Sequence, residues 1–502
     1  MENLGLLMHG FGIALSWNHV GLMLVGVLLG ILVGVLPGLG APNGVSLLLP
    51  LTFTMQPVSA IILLSSMYWG ALFGGSVTSI LFNIPGEPSS VATTFDGYPM
   101  ARDGRPTTAL VTAFSSAAFG ALVGVVLITL LASWIAKLAL DFGPAEYFAV
   151  YFLAFASFIG VGGARPAKTL VSLCIGFAIA AMGMDTISGN VRLTLGVDEF
   201  VRGISFVVAV MGLFGIGELL VAAEEDLHAK SLSSRIEWGE AWRTLVRMPR
   251  HAVALVRSAA IGCWMGITPG GPTAASFMSY GVAMRVSPNR ANFGKGEAEG
   301  VVAPEAADHA AVTSALLPML ALGIPGSATA AVMMGGLMIW GLNPGPMLFI
   351  EQKDFVWGLI ASMYLGNIVA VALVLVTVPL FAALMRVPFF IISPLIIVVC
   401  AVGAYTVSNS YFDVVLMMGF GVLGYLFKKL DYPISPLVLA IVIGDRAEDA
   451  FRQSMLLSKG SVAIFFSTPL VCTITGLAIA LLALPLAGAL RRRLSPAPRA
   501  VA

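Results

Sequence analysis

The stretches FNIPGEPSS, residues 82–90, and LGIPGSATA, residues 322–330, decide how this chain is read. Each sets Ile-Pro-Gly inside apolar surroundings. Proline removes a backbone donor and glycine loosens the chain, so neither triplet suits the middle of a helix. Composition says which medium surrounds them. Of 502 residues 58% are hydrophobic and only 11% are charged, and the mean hydropathy is +0.94. Soluble domains carry roughly a quarter charged residues and need a polar shell at any size. The chain therefore reads as a polytopic membrane protein, in which backbone released from helical bonding must be buried in protein or line a wet cavity.

A helix crosses a bilayer with about 20 apolar residues. Stretches of that kind recur at 20–36, 107–134, 144–160, 169–184, 203–222, 356–384, 387–407 and 461–490. Shorter pieces lie near 43–54, 58–75, 253–267, 312–323, 328–342, 411–427 and 436–444. Continuous apolar runs exclude a barrel, whose strands alternate over roughly 10 residues. The expected fold is all-α, with about 10–12 transmembrane or re-entrant segments. Cys174, Cys263, Cys400 and Cys472 sit in apolar runs without CxxC spacing and read as small core residues. The net charge of +1 gives no global field for nucleic acid.

The polar interruption at 223–257 holds Lys230, Arg235, Arg243, Arg247, Arg250 and Arg257, and the tail RRRLSPAPRA is also basic. Both are expected on the cytoplasmic side, with the N-terminus outside. The chain then divides into an N-terminal membrane repeat (1–222), an amphipathic, basic linker (223–257), a C-terminal membrane repeat (258–490) and a basic tail (491–502). The halves echo each other. GVLPGLGAPNG (34–44) is matched by GITPGGPTAAS (266–276), and NIPGEPSSVA by GIPGSATAAV, in the same order. Paired Gly/Pro interruptions at corresponding places of two halves point to the binding site of a secondary transporter.

Polar residues cluster around these breaks. Pro88 suits the first turn of a new helix and Ser327 suits an N-cap. Helix N-termini favour a carboxylate or phosphate. Freed carbonyls with hydroxyl and amide oxygens favour a hard cation such as Na⁺. Candidate solute-binding residues are Asn43, Ser76, Asn83, Pro85, Gly86, Ser89, Ser90, Thr273, Asp308, His309, Pro325, Gly326 and Ser327. Candidate ion-binding residues are Gly38, Asn43, Thr268, Gly270 and Ser276, with no transition-metal site and no cofactor expected. Between the second-half breaks, Glu297, Glu299, Glu305, Asp308 and His309 crowd together; acids at a helix centre are costly in a membrane, so an aqueous loop, a cavity or pairing is expected.

At these residues the chain resembles the large membrane subunit of the tripartite tricarboxylate transporters. The likeness is carried by GVLPGLGAPNGVSLLLPLTF, FNIPGEPSSVATTFDGYPMARDG and GEAEGVVAPEAADHAAVTSALLPMLALGIPGSATAAVMMGGLMIWGLNPGPMLF, and extends over nearly the whole chain. It implies a bacterial inner-membrane permease built as two inverted repeats with broken helices. It also implies a small integral membrane partner, a periplasmic solute-binding protein, and ion-coupled uptake of di- and tricarboxylates without ATP. No Walker A motif occurs. One departure stands out: the family often has paired asparagines where this chain has Asp308-His309, and a histidine there is expected to make transport more pH-sensitive. The rivals are a lone symporter without a binding protein, an anion channel and an intramembrane enzyme. The last lacks an HExxH motif and has only five histidines to draw on.

Overall fold

The computed structural model describes residues 2–36, 39–160, 166–185, 187–224, 236–268, 271–384 and 389–494. The first half contributes α1 (Glu2–Ala14), α2 (Trp17–Val35), α3 (Gly40–Leu48), α4 (Pro57–Phe82), α5 (Val91–Arg102) and α6 (Pro106–Ala139). Next come α7 (Pro144–Gly160), α8 (Pro166–Ala180) and α9 (Phe206–Ala222). The second half contributes α10 (Trp238–Arg247), α11 (Ala252–Ile267), α12 (Gly271–Val286), α13 (Ala298–Ser314), α14 (Leu316–Leu322) and α15 (Ala328–Ile339). The chain closes with α16 (Lys353–Leu384), α17 (Phe389–Ser408), α18 (Tyr411–Lys429), α19 (Ile434–Leu457) and α20 (Pro469–Leu494). A hairpin of β1 (Gly183–Met184) and β2 (Val191–Arg192) makes the one sheet among the described residues.

The protein is all-α and polytopic. Five described helices are long and apolar enough to cross a membrane, and seven shorter apolar helices accompany them. Leu130 and Trp134 on α6, Val376 and Leu380 on α16, and Leu395 and Val402 on α17 are exposed. Such a surface would be an aggregation hazard in water and is matched to lipid.

The contacts divide the chain into two compact units, each assembled from separated pieces: 1–140 with 204–430, and 141–203 with 431–502. In the larger unit α2 lies along α4, α11 along α13, and α6 along α13. Its apolar core includes Val27, Ile31, Phe73, Val77, Phe114 and Val374. In the smaller unit α7 packs on α20 and α8 on α19. The hairpin there is clamped by Asp185, whose carboxylate takes both oxygens to Arg452 at 2.9 Å while Arg192 bonds Glu448 at 2.7 Å. The Ser188 hydroxyl and Arg452 hold the Asp185 carboxyl well below the usual carboxylate range.

One element differs from the sequence expectation, and two others settle what it left open. The expected piece 58–75 continues through Ser76–Ser79 to Phe82 as α4, its hydroxyls satisfied by helix carbonyls and by other polar side chains. Of the loop, cavity or pairing expected for the crowded acidic stretch, the loop is excluded beyond Glu297, since the rest is the helix α13, largely buried, with Pro304 inside it. Lys295 remains exposed ahead of it, and Glu299 pairs with Arg257 at 2.8 Å. The basic linker falls partly in 225–235, outside the described residues; 238–247 forms α10, held to α6 by hydrogen bonds from the Glu237 N–H to Thr107 and from Thr108 to Glu240, and 252–257 opens α11.

Candidate functional site

Both Ile-Pro-Gly stretches are helix tips, and the backbone builds them alike. Helix α4 stops where Asn83 turns left-handed at φ 59°, and the Ile84 N–H reaches back to the Thr78 carbonyl. Helix α14 stops where Gly323 turns left-handed at φ 71°, and the Ile324 N–H reaches the Pro318 carbonyl at 3.2 Å. Each of these bonds reaches back six positions, one more than the six-to-one bond of the common left-handed helix cap. Each tip then passes through Pro-Gly to an extended residue, Glu87 or Ser327, that starts the next helical segment. Pro88 occupies the first turn, where its missing N–H costs nothing. Ser327 accepts the Ala330 N–H at 3.1 Å, as an N-cap does.

The glycines explain how the tips come so close to the helices behind them. A Cβ on Gly86 would fall 2.0 Å from the Gly34 carbonyl oxygen, and one on Gly326 2.6 Å from that of Gly266. Gly34 and Gly266 rest in turn on the carbonyls of Ala71 and Ala311. Positions 71 and 311, like 86 and 326, are separated by the same 240 residues. Matched breaks thus make matched contacts.

Between the tips lies a buried polar centre, wholly within the larger unit. The Glu305 carboxylate on α13 accepts hydrogen bonds from Ser76 Oγ at 2.9 Å and from Thr93 Oγ1 at 2.6 Å. Asp308, one turn further on, belongs to the helix that packs on the Pro88–Ser90 turn of the first tip, and lies near Ser89, Glu87 and Glu305. Its Oδ1 has no hydrogen-bond partner. His309 leans tilted against Phe73 at 4.8 Å between ring centroids and places Nδ1 3.2 Å from the Glu305 carbonyl, while Nε2 is unpartnered. On α4, Tyr68 sets its hydroxyl 3.2 Å from Ser327 Oγ and near Thr329, at the second tip. Tyr68 and Asp308 again differ by 240 positions, as do Thr329 and Ser89. Each half reaches across to the tip of the other.

Of the expected residues, Ser76, Ser89, Asp308, His309 and Ser327 come together here, with Ser90 tied in through Ser79 at 2.9 Å. Gly86, Pro325 and Gly326 form the buried tip backbone, and Pro85 is half-buried. Asn83 contributes its backbone conformation, and its side chain is exposed. Asn43 is buried on α3. Thr273 is half-buried in the first turn of α12, and Ser276 below it is buried with an unpartnered hydroxyl. Thr268 spends its hydroxyl on the Trp264 carbonyl of its own helix at 2.8 Å. Gly38 and Gly270 lie outside the described residues. No three His, Cys, Asp or Glu side chains converge as a metal-binding group among the described residues.

Tyr68, Glu87, Thr93, Glu305 and Thr329 were missed as site residues. Glu87 takes a hydrogen bond from the Ala41 N–H at the start of α3, joining the two first-half breaks. The signal for Tyr68 was available: carried from the tips back into α4 and α13, the repeat sets it opposite Asp308.

The description "Tripartite tricarboxylate transporter TctA family" belongs to a family whose pattern the chain matches over residues 20–439. An "uncharacterized 52.8 kDa protein in TAR-I ttuC' 3'region" of Agrobacterium vitis is 35% identical over 485 residues, 96% of each chain. An "uncharacterized protein in TAR-II ttuC' 3'region" of the same organism is 34% identical over 233 residues, 46% of this chain and 96% of its own. No solved structure matches the chain significantly.

Proposed function

Since this chain belongs to the tripartite tricarboxylate transporter TctA family, a family of transporter components, we propose that it is the large permease subunit of a binding-protein-dependent carrier. In this reading it imports organic di- or tricarboxylates down a Na⁺ or H⁺ gradient, without ATP. It works in the bacterial inner membrane with a small integral membrane subunit and a periplasmic solute-binding protein. The N-terminus lies outside and the basic tail inside. Its halves are inverted repeats whose broken helices meet at the solute.

The observation that carries this reading is the meeting of two matched helix tips over one buried polar centre. Backbone leaves helical bonding inside a membrane protein where it is buried or lines a cavity, and transporters use such places to hold anions at helix N-termini and cations at freed carbonyls. Ser89, Ser90 and Ser327 stand at the two helix starts, with Asn43 and Ser276 on the helices that follow the upstream breaks. Hydroxyls and N–H groups there supply donors for a carboxylate without a lysine.

Uptake of labelled citrate, tartrate, malate and succinate into vesicles carrying all three components, under imposed Na⁺ or pH gradients, tests the proposal. Saturable accumulation and counterflow of one of them are expected. Conductance without saturation or counterflow would make the protein a channel, and equal uptake without the binding protein would make it a lone symporter.

A further inference from the structure

The polar centre carries an imbalance of charge. Glu87, Glu305 and Asp308 are all buried within it, and the buried polar side chains among the described residues include no lysine or arginine. His309 is the one basic group at hand. It is spoken for on one side by the Glu305 carbonyl, and its ring lies against Phe73. The desolvation of a buried carboxylate is offset only in part by neutral donors. Glu305 has two hydroxyls and Glu87 a backbone N–H. Asp308 has the least support: its helix packs on the Pro88–Ser90 turn, and its Oδ1 is unpartnered at 3% exposure. An anionic solute beside these groups adds negative charge to a place whose one basic side chain, His309, lies 3.8 Å from the Glu305 carboxylate.

The two tips differ in just this respect. The residue reaching the second tip is a neutral phenol, Tyr68; the one reaching the first tip from the equivalent position is an acid, Asp308. The helix start of the first tip carries Glu87, and that of the second carries Ser327.

We propose that Asp308 and Ser89, with Glu87 beside them, hold the coupling ion, a monovalent cation (H⁺ or Na⁺), at the first tip, and that the solute carboxylate lies at the second. This rests on the reading of the tips as a transport site, and it moves Ser89 and Asp308 from the solute's side to the cation's. Oxygen ligands suit a hard cation. One carboxylate with a hydroxyl suffices for a single charge. Solute and cation then bind together because each relieves the charge that the other imposes.

The test compares two modes of transport in vesicles carrying the assembled transporter, using whichever of citrate, tartrate, malate or succinate the wild type exchanges. An inward Na⁺ gradient at equal pH and a pH gradient in Na⁺-free buffer are imposed separately, and the one that drives the wild type names the cation. The Asp308→Asn variant is expected to exchange labelled for unlabelled solute yet accumulate it no further than equilibrium under either gradient. Ser89→Ala is expected to raise the half-saturating concentration of the driving cation more than that of the solute. Wild-type accumulation by Asp308→Asn would overturn the assignment and leave the transport function standing. Loss of exchange as well, in a variant present in the membrane at the wild-type level, would also overturn it, because Asp308 would then serve the solute. A wild type that exchanges none of the four acids would instead defeat the proposed function.

Discussion

The two Ile-Pro-Gly tips share a backbone and differ in chemistry. Both follow a left-handed cap, both press a glycine on a carbonyl of an upstream helix, and both open a new helical segment from an extended residue. At the first tip that residue is Glu87, which takes the Ala41 N–H at the start of α3. In the second half α12 also starts at a left-handed glycine, Gly271, but the next residue is Pro272, which has no N–H to give. The second tip presents Ser327 to Tyr68 instead. Geometry is thus repeated and charge is not, which is how a pseudo-symmetric frame can offer unlike ends to a solute and an ion.

Substitutions at matched positions probe the shared geometry first. Gly86→Val and Gly326→Val should each destabilise by about 1–3 kcal/mol through overpacking. The first should lower the thermal midpoint in detergent more, because its Cβ would come closer to backbone, 2.0 against 2.6 Å. The reverse order would mean that the second tip is the tighter one. Gly323→Ala puts a Cβ on a left-handed residue at φ 71° and should cost about 1–2 kcal/mol in the same assay.

The chemistry of the tips comes next. Ser327→Ala removes an N-cap and the partner of Tyr68, and should cost about 1 kcal/mol, whereas Ser327→Gly should cost only a few tenths. Equal losses would show that the hydroxyl matters through something besides capping. Smallest is Asn83→Gly, which gives the first tip the cap residue of the second. Asn already tolerates the left-handed region, so the thermal midpoint should rise by the equivalent of less than about 1 kcal/mol. A large loss would place the Asn83 side chain in a role that its exposure argues against.

Much of this was legible in the chain. The ordered Pro-Gly pairs, Pro88 at a helix start and Ser327 as an N-cap follow from local backbone rules that tertiary contacts do not override here. The helical class followed from continuous apolar runs. The burial of α13 did not, because the cost of Glu305 depends on Ser76 and Thr93, hydroxyls more than 200 positions away. Nor could sequence order show that 141–203 and 431–502 form a unit of their own, since their union lies in helix contacts alone. Tyr68 was hidden by its apolar neighbours; only the register of the repeat across α4 and α13 sets it opposite Asp308.

The division of labour between the tips is tested most directly by the kinetics of Ser327→Ala and Ser89→Ala, measured as gradient-driven uptake of the transported acid in vesicles matched for protein content. The expected result is a split: Ser327→Ala raises the half-saturating solute concentration, and Ser89→Ala raises that of the driving cation. Wild-type constants in both variants, or the same shift in both, would contradict it.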